Sequence, residues 1–160
     1  MKLDIDVSGE DLLSKDYVVC IANEDIIKGF KFEDKLVKVL SSRYGQGFYR
    51  YKKSKQGKSN FKIRLYCIVI YYLIRSINFA NDLVLNICRD FEGNENYIRK
   101  SLSDFLKKEL NINIFESIYF GRLSPSSYAH KYAGLMRGDS RNKLDTYIKI
   151  KLNDFEKWLK

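Results

Sequence analysis

Two aspartates stand inside the first apolar alternation of the chain, Leu3-Asp4-Ile5-Asp6-Val7. The period of two predicts a strand over 2–8, with Leu3, Ile5 and Val7 on one face and Asp4 and Asp6 on the other. A carboxylate withdrawn from water is costly without a partner, so the second face needs a cation, a metal or water. Asp6 is the candidate first ligand of a metal site. Asp4 is the fallback ligand, and a pair of solvated edge charges is the third reading.

The alternation continues. Asp16 to Ala22 and Ile26 to Phe32 read as strands, the latter interrupted by Gly29, with turn signals at Ser8-Gly9 and Asn23-Glu24-Asp25. An antiparallel meander follows. The period then changes: Glu33 to Tyr44 places Leu36, Val37 and Leu40 at helical spacing. The polar stretch Gly45 to Asn60 reads as a long loop. Phe61 to Asn78 is too long an apolar run for one strand and predicts a buried helix, with a strand pair as the alternative.

Asp82 to Asp90 reads as a strand buried on both faces apart from Asn86. Asn94 to Leu110 is a helix with Tyr97, Ile98, Leu102, Phe105 and Leu106 as its apolar stripe. Asn111 to Phe120 alternates as a strand. Ser126 to Arg137 is a helix entered through Ser124-Pro125, and Lys143 to Lys160 a final helix with Tyr147, Ile148, Leu152, Phe155 and Leu159 inward. A meander followed by βαβ units is an α/β architecture with a mixed sheet and helices on both faces. The expectation is one domain over 1–160 with a basic loop or insertion at about 43–64.

A formal net charge of +9 favours an anionic partner, nucleic acid before a membrane surface. The most apolar run, Leu65 to Ile74, lies between Arg64 and Arg75 and is too short for a bilayer, which needs about 20 helical residues. Cys20, Cys67 and Cys88 are odd in number and sit in apolar runs, so they read as buried free thiols in a reducing compartment. No signal peptide is visible, and a cytoplasmic protein is expected.

The element order resembles the ribonuclease H-like superfamily, and three short motifs carry the resemblance. Asp6-Val7-Ser8-Gly9 is similar to the D-x-S-G opening of archaeal-type nuclease-like members. Asp90, in Arg89-Asp90-Phe91-Glu92-Gly93, stands at the end of the fourth strand, with Glu92 as its substitute. Tyr128-Ala129-His130-Lys131-Tyr132-Ala133-Gly134 looks like the A-D-x-x-A-G pattern of the late helix, with His130 where that pattern has aspartate. Ala133, Gly134 and Arg137 share the helical face of His130, where small residues allow close approach to the sheet. The resemblance implies that Asp6, Asp90 and His130 are the catalytic and metal-binding residues, with Asp139 as a fallback acid. A fourth carboxylate would have to be Glu33 or Asp34, and neither lies in a motif.

The implied cofactor is Mg²⁺ or Mn²⁺; Mg²⁺ prefers oxygen ligands and Mn²⁺ also accepts nitrogen. Arg43, Arg50, Lys52, Lys53, Lys55, Lys58, Lys62 and Arg64 form a cationic stretch without acids, interleaved with Tyr44, Phe48, Tyr49, Tyr51 and Phe61. Cations neutralise phosphates and aromatics stack on unpaired bases. Lys131, Arg137 and Arg141 form a second basic cluster beside His130. The expected activity is divalent-metal-dependent cleavage of DNA or RNA phosphodiesters, with a homodimer if the target is a junction. The alternative is a non-catalytic nucleic-acid-binding module of the same fold.

Overall fold

The computed structural model describes residues 1–79 and 82–160. The meander is present as β1 (Lys2–Ser8), β2 (Tyr17–Ala22) and β3 (Ile27–Phe32), antiparallel in succession. Then come α1 (Asp34–Gly45), α2 (Lys55–Arg75), β4 (Val84–Cys88) and α3 (Glu95–Leu110). A single 3-10 turn at Phe115–Ser117 leads into β5 (Ile118–Gly121), followed by α4 (Tyr128–Gly138) and the short α5 (Leu152–Glu156). β4 runs parallel to β1, and β5 parallel to β4, giving one five-stranded mixed sheet in the order β3-β2-β1-β4-β5. β1 is therefore the central strand.

The two faces of the sheet are packed differently. Leu3 and Ile5 of β1 and Tyr17, Val19 and Ile21 of β2 meet α2 and α3 in the large core. Ile63, Leu65, Ile68, Val69, Ile70 and Leu73 of α2 are fully buried there, each such side chain contributing roughly 1.5–3 kcal/mol of transfer free energy. On the other face Val18, Cys20 and Ala22 of β2 pack against Ala129, Ala133 and Met136 of α4. Small residues bring that helix close to β1 and β2. Ala129 and Ala133 serve this purpose; Gly134, expected to do so, is exposed with open space around it.

Several expected boundaries move. Residues 55–60 belong to α2, not to a loop, because the Ser54 hydroxyl accepts from the Gly57 N–H at 3.0 Å and starts the helix there. Their polar composition reflects exposure of the first turns. β4 is buried on one face only, through Leu85 and Ile87, while Val84, Asn86 and Cys88 are half-buried. Cys20 and Cys67 are buried free thiols as expected; Cys88 is not fully buried. Tyr97 is exposed and leaves the α3 stripe to Ile98, Leu102, Phe105 and Leu106.

Only the last residues of 111–120 form a strand: Asn111 ends α3 in the left-handed region (φ 54°), and buried Ile112 and Ile114 anchor an irregular approach. Ser127, rather than Ser124, caps α4, with the His130 N–H directed at its hydroxyl. The final long helix is also absent. Residues 146–148 instead run beside β3, where Gly29 donates to the Thr146 carbonyl and accepts from the Ile148 N–H, both at 2.9 Å. The unpaired backbone of an edge strand outcompetes the helical pattern there. Only Leu152–Glu156 is helical, burying Phe155.

Candidate active site

β1 and β4 are adjacent and parallel, so their C-terminal ends lie side by side. β1 presents Asp6 toward α4, opposite Cys20 of β2. Asp90 follows β4 by two residues, and His130 lies in the first turn of α4. All three line one groove of about 470 Å³, together with Arg89, Glu92 and Arg122. The three motif residues, 124 positions apart at the extremes, are thus brought together by the topology.

Asp6 is only 8% exposed. Its Oδ1 accepts from the Val7 N–H at 2.8 Å, and its Oδ2 lies 2.8 Å from His130 Nδ1. The histidine side chain itself is 59% exposed. Pairing through Nδ1 leaves Nε2 as the ring nitrogen free to meet a substrate. The negative charge of Asp6 adds to the effect of burial on two neighbouring thiols: Cys20 is pushed up to about 12, and Cys88 higher still. Burial and the Asp6 charge thus favour the neutral thiol at both positions.

Asp90 is exposed as a residue, yet its carboxyl is partly withdrawn from water. Tyr17 Oη donates to its Oδ2 at 2.5 Å. Withdrawal from water pushes this carboxyl above its ordinary range; the Tyr17 hydrogen bond works against that rise, and the charges of Asp6 and Asp11 reinforce it. Burial first, then the bond to Asp90, pushes the Tyr17 phenol well above its ordinary range, so it remains a donor. Gly9 makes room for this tyrosine. Its φ of +136° suits glycine, and a Cβ there would sit 2.7 Å from the Tyr17 ring. The glycine of the D-x-S-G motif therefore has a specific packing role at the site.

Among the described residues, no three His, Cys, Asp or Glu side chains are gathered into a ready-made ion cage. The donor chemistry nevertheless fits a hard divalent cation. Asp6 and Asp90 are carboxylates on one groove; Asp90 is raised first by withdrawal from water, with the charge of Asp6 adding to the rise, and a cation in the groove would offset both effects. Mg²⁺ is commonly held by one or two carboxylates with water and substrate phosphate completing its shell.

The other candidates separate clearly. Asp4 lies one row away on the same face, accepting from Asn86 Nδ2 at 3.2 Å and from the Ser127 hydroxyl at 2.8 Å. Glu92 lines the groove and is exposed. Asp139 does not: beyond the C-terminal end of α4, it accepts from the Lys143 and Leu144 N–H groups and from Tyr147 Oη. Glu33 receives Asn142 Nδ2, and Asp34 pairs with Lys38 on α1; neither lines the groove.

The basic stretch divides as well. Arg43 pairs with buried Glu156, Lys62 with Asp11 at 2.7 Å, and Arg64 lies over the Phe105 ring, so these three are tied to the protein. Arg50, Lys52, Lys53, Lys55 and Lys58 are exposed, as are Lys131, Arg137 and Arg141. The interleaved aromatics are mostly core: Tyr44 and Tyr49 stack on Phe61, and Tyr51 packs beside it. Phe48 alone among the five is exposed.

Tyr17 and Arg122 are the site residues the motifs do not mark. Tyr17 resembles any strand aromatic in sequence, and its role arises from where the chain places Asp90. Arg122 had a usable signal, a cation directly after a strand at the same sheet edge. No protein-family model matches this chain, and neither a characterised protein nor a solved structure matches it significantly. No helix among the described residues is long and apolar enough to cross a membrane.

Proposed function

We propose that the protein is a ribonuclease H-like phosphodiester hydrolase that binds nucleic acid and uses Mg²⁺ or Mn²⁺. The observation that carries this reading is the convergence of Asp6, Asp90 and His130 on one groove at the ends of two central parallel strands. The strand order β3-β2-β1-β4-β5, with β2 antiparallel to both neighbours, supports the fold assignment. The net charge of +9 and the exposed lysines of 52–58 support a polyanionic ligand. Three free thiols fit a reducing, intracellular setting.

Asp6 and Asp90 would hold the cation, which polarises a phosphoryl oxygen when bound. Tyr17 keeps the Asp90 carboxyl oriented toward the groove. Asp6 orients His130 through Nδ1, leaving Nε2 to accept a proton from an attacking water or return one to a leaving oxygen. Arg89 and Arg122 line the groove and neutralise phosphate charge.

The test is a melting curve with and without millimolar Mn²⁺ or Mg²⁺, run beside cleavage of a labelled oligonucleotide. The ions are expected to raise the Tm of the wild type, and Asp6→Asn is expected to abolish both the rise and the cleavage. Absence of both the Tm shift and cleavage in the wild type overturns the proposal. The second reading, a binding module without catalysis, draws on the exposed lysines of 52–58 and on the position of Glu33 and Asp34 outside the groove. It predicts salt-dependent nucleic-acid binding that is indifferent to the metal.

A further inference from the structure

Beside the acidic groove lies a second cavity, of about 690 Å³, on the same face of the sheet. That volume suits a small organic ligand. Gly121, Arg122 and Leu123 line both spaces, so the two are contiguous along one wall. The floor of the cavity is a cross-strand row. Register places Asp4 of β1 beside Asn86 of β4, and Asn86 beside Tyr119 of β5. Asp6 stands two residues further along β1, about 7 Å at the usual strand rise. The cavity is thus one short step from the candidate chemistry.

Its walls carry two exposed aromatic side chains. Tyr119 and Tyr128 line it while remaining 55% and 44% exposed. Between them the polar floor is held in place: Ser127 donates to Asp4 Oδ2 at 2.8 Å, and Asn86 Nδ2 donates to Asp4 Oδ1 at 3.2 Å. The Asn86 carbonyl oxygen and the Asp4 carboxylate offer acceptors to a planar ligand with amino groups. Lys2 and Arg122 line the cavity as cations, beside the acid Glu24.

We propose that this cavity takes an unpaired nucleobase of the strand whose backbone lies in the Asp6–Asp90 groove. The inference rests on the nucleic-acid reading above and narrows its substrate class. Aromatic faces stack on bases of any sequence, but a base inside a duplex has no free face to offer. The substrate is therefore single-stranded, or carries an unpaired nucleotide next to the phosphate in the groove. Tyr119 and Tyr128 supply the stacking surface, and Asp4 and Asn86 meet the base edge.

The experiment measures binding of fluorescently labelled oligonucleotides by anisotropy, in chelator so that no cleavage intervenes. The proteins are the wild type, the Tyr119→Ala/Tyr128→Ala double variant and the Tyr119→Phe/Tyr128→Phe double variant. Both tyrosines are exposed, so melting curves of the variants are expected to match the wild type. The alanine pair is expected to weaken single-strand binding about tenfold or more while leaving duplex binding nearly unchanged. The phenylalanine pair retains single-strand affinity. Moving one abasic position along the strand should find a site whose loss weakens the wild type but not the alanine pair. Equal single-strand affinity of the alanine pair and the wild type overturns this inference alone. Failure of the wild type to bind any oligonucleotide overturns it together with the functional reading.

Discussion

Among the described residues two carboxylates are nearly sealed from solvent, Asp6 at 8% and Glu156 at 5% exposure, and their surroundings are opposite. Glu156 receives Arg43 Nη1 at 2.5 Å and Tyr49 Oη at 2.8 Å, one donor for each oxygen. Burial pushes its carboxyl up, but the two hydrogen bonds outweigh burial and hold it below the ordinary range. Asp6 has a backbone N–H and an exposed histidine, two neutral thiols nearby, and Asp90 across the groove. Glu156 is a finished contact that ties α1 to α5. Asp6 instead shares an open groove with Asp90, Glu92, Arg89 and Arg122. Burial of an acid does not by itself distinguish structure from function; the charge of its partners does.

The largest expected effect falls on His130. His130→Ala should lower oligonucleotide cleavage about 100-fold, the usual range for a general acid or base, while the Tm stays close to wild type because the side chain is mostly exposed. A large loss of Tm would instead make the Asp6–His130 pair a structural tie like Arg43–Glu156.

Glu156→Ala is the converse experiment. It should destabilise the protein by about 2 kcal/mol through the loss of charge-assisted hydrogen bonds in a buried setting. Urea denaturation reads this directly. Because the folded carboxyl is held low, its stabilisation is present above the unfolded value near 4.3 and is lost as pH falls through the lower folded value. The wild-type advantage over Glu156→Ala should therefore narrow in acid.

Asp90→Asn carries the smallest and oppositely signed change. The Asp90 carboxyl is raised, so its ionised form is disfavoured on folding: the contribution is present below the unfolded value near 3.9 and lost as pH rises through the folded value. Asparagine keeps an acceptor for Tyr17 and removes the charge. At neutral pH the Asn variant should melt slightly higher than wild type in metal-free buffer, with the difference disappearing below about pH 4. A variant that melts lower at neutral pH would place Asp90 with Glu156 rather than with Asp6.

The sequence carried the strands of the meander and the grouping of three motifs, because strand alternation and the short stretches around Asp6, Asp90 and His130 are local signals; the parallel pairing of β1 with β4 is a finding of the structure. It did not carry what depends on distant partners. The helical pattern of 143–160 gave way to pairing with β3 around Gly29. The cations Arg43, Lys62 and Arg64 met Glu156, Asp11 and Phe105, neighbours that no spacing rule identifies. Tyr44, Tyr49 and Phe61 look identical in sequence whether they stack on one another or on a base.

The pairing at Gly29 has a consequence for how the molecule behaves in a crowded solution. An outer strand with free amides invites a second chain to extend the sheet, the first step toward aggregation. Here residues 146–148 clip onto β3 through two hydrogen bonds, and Met136 packs so closely that a Cβ on Gly29 would meet its methyl at 2.4 Å. Strand β3 is thereby closed to sheet growth at its centre. At the opposite border β5 offers only the four residues Ile118–Gly121, a short edge that limits strand addition.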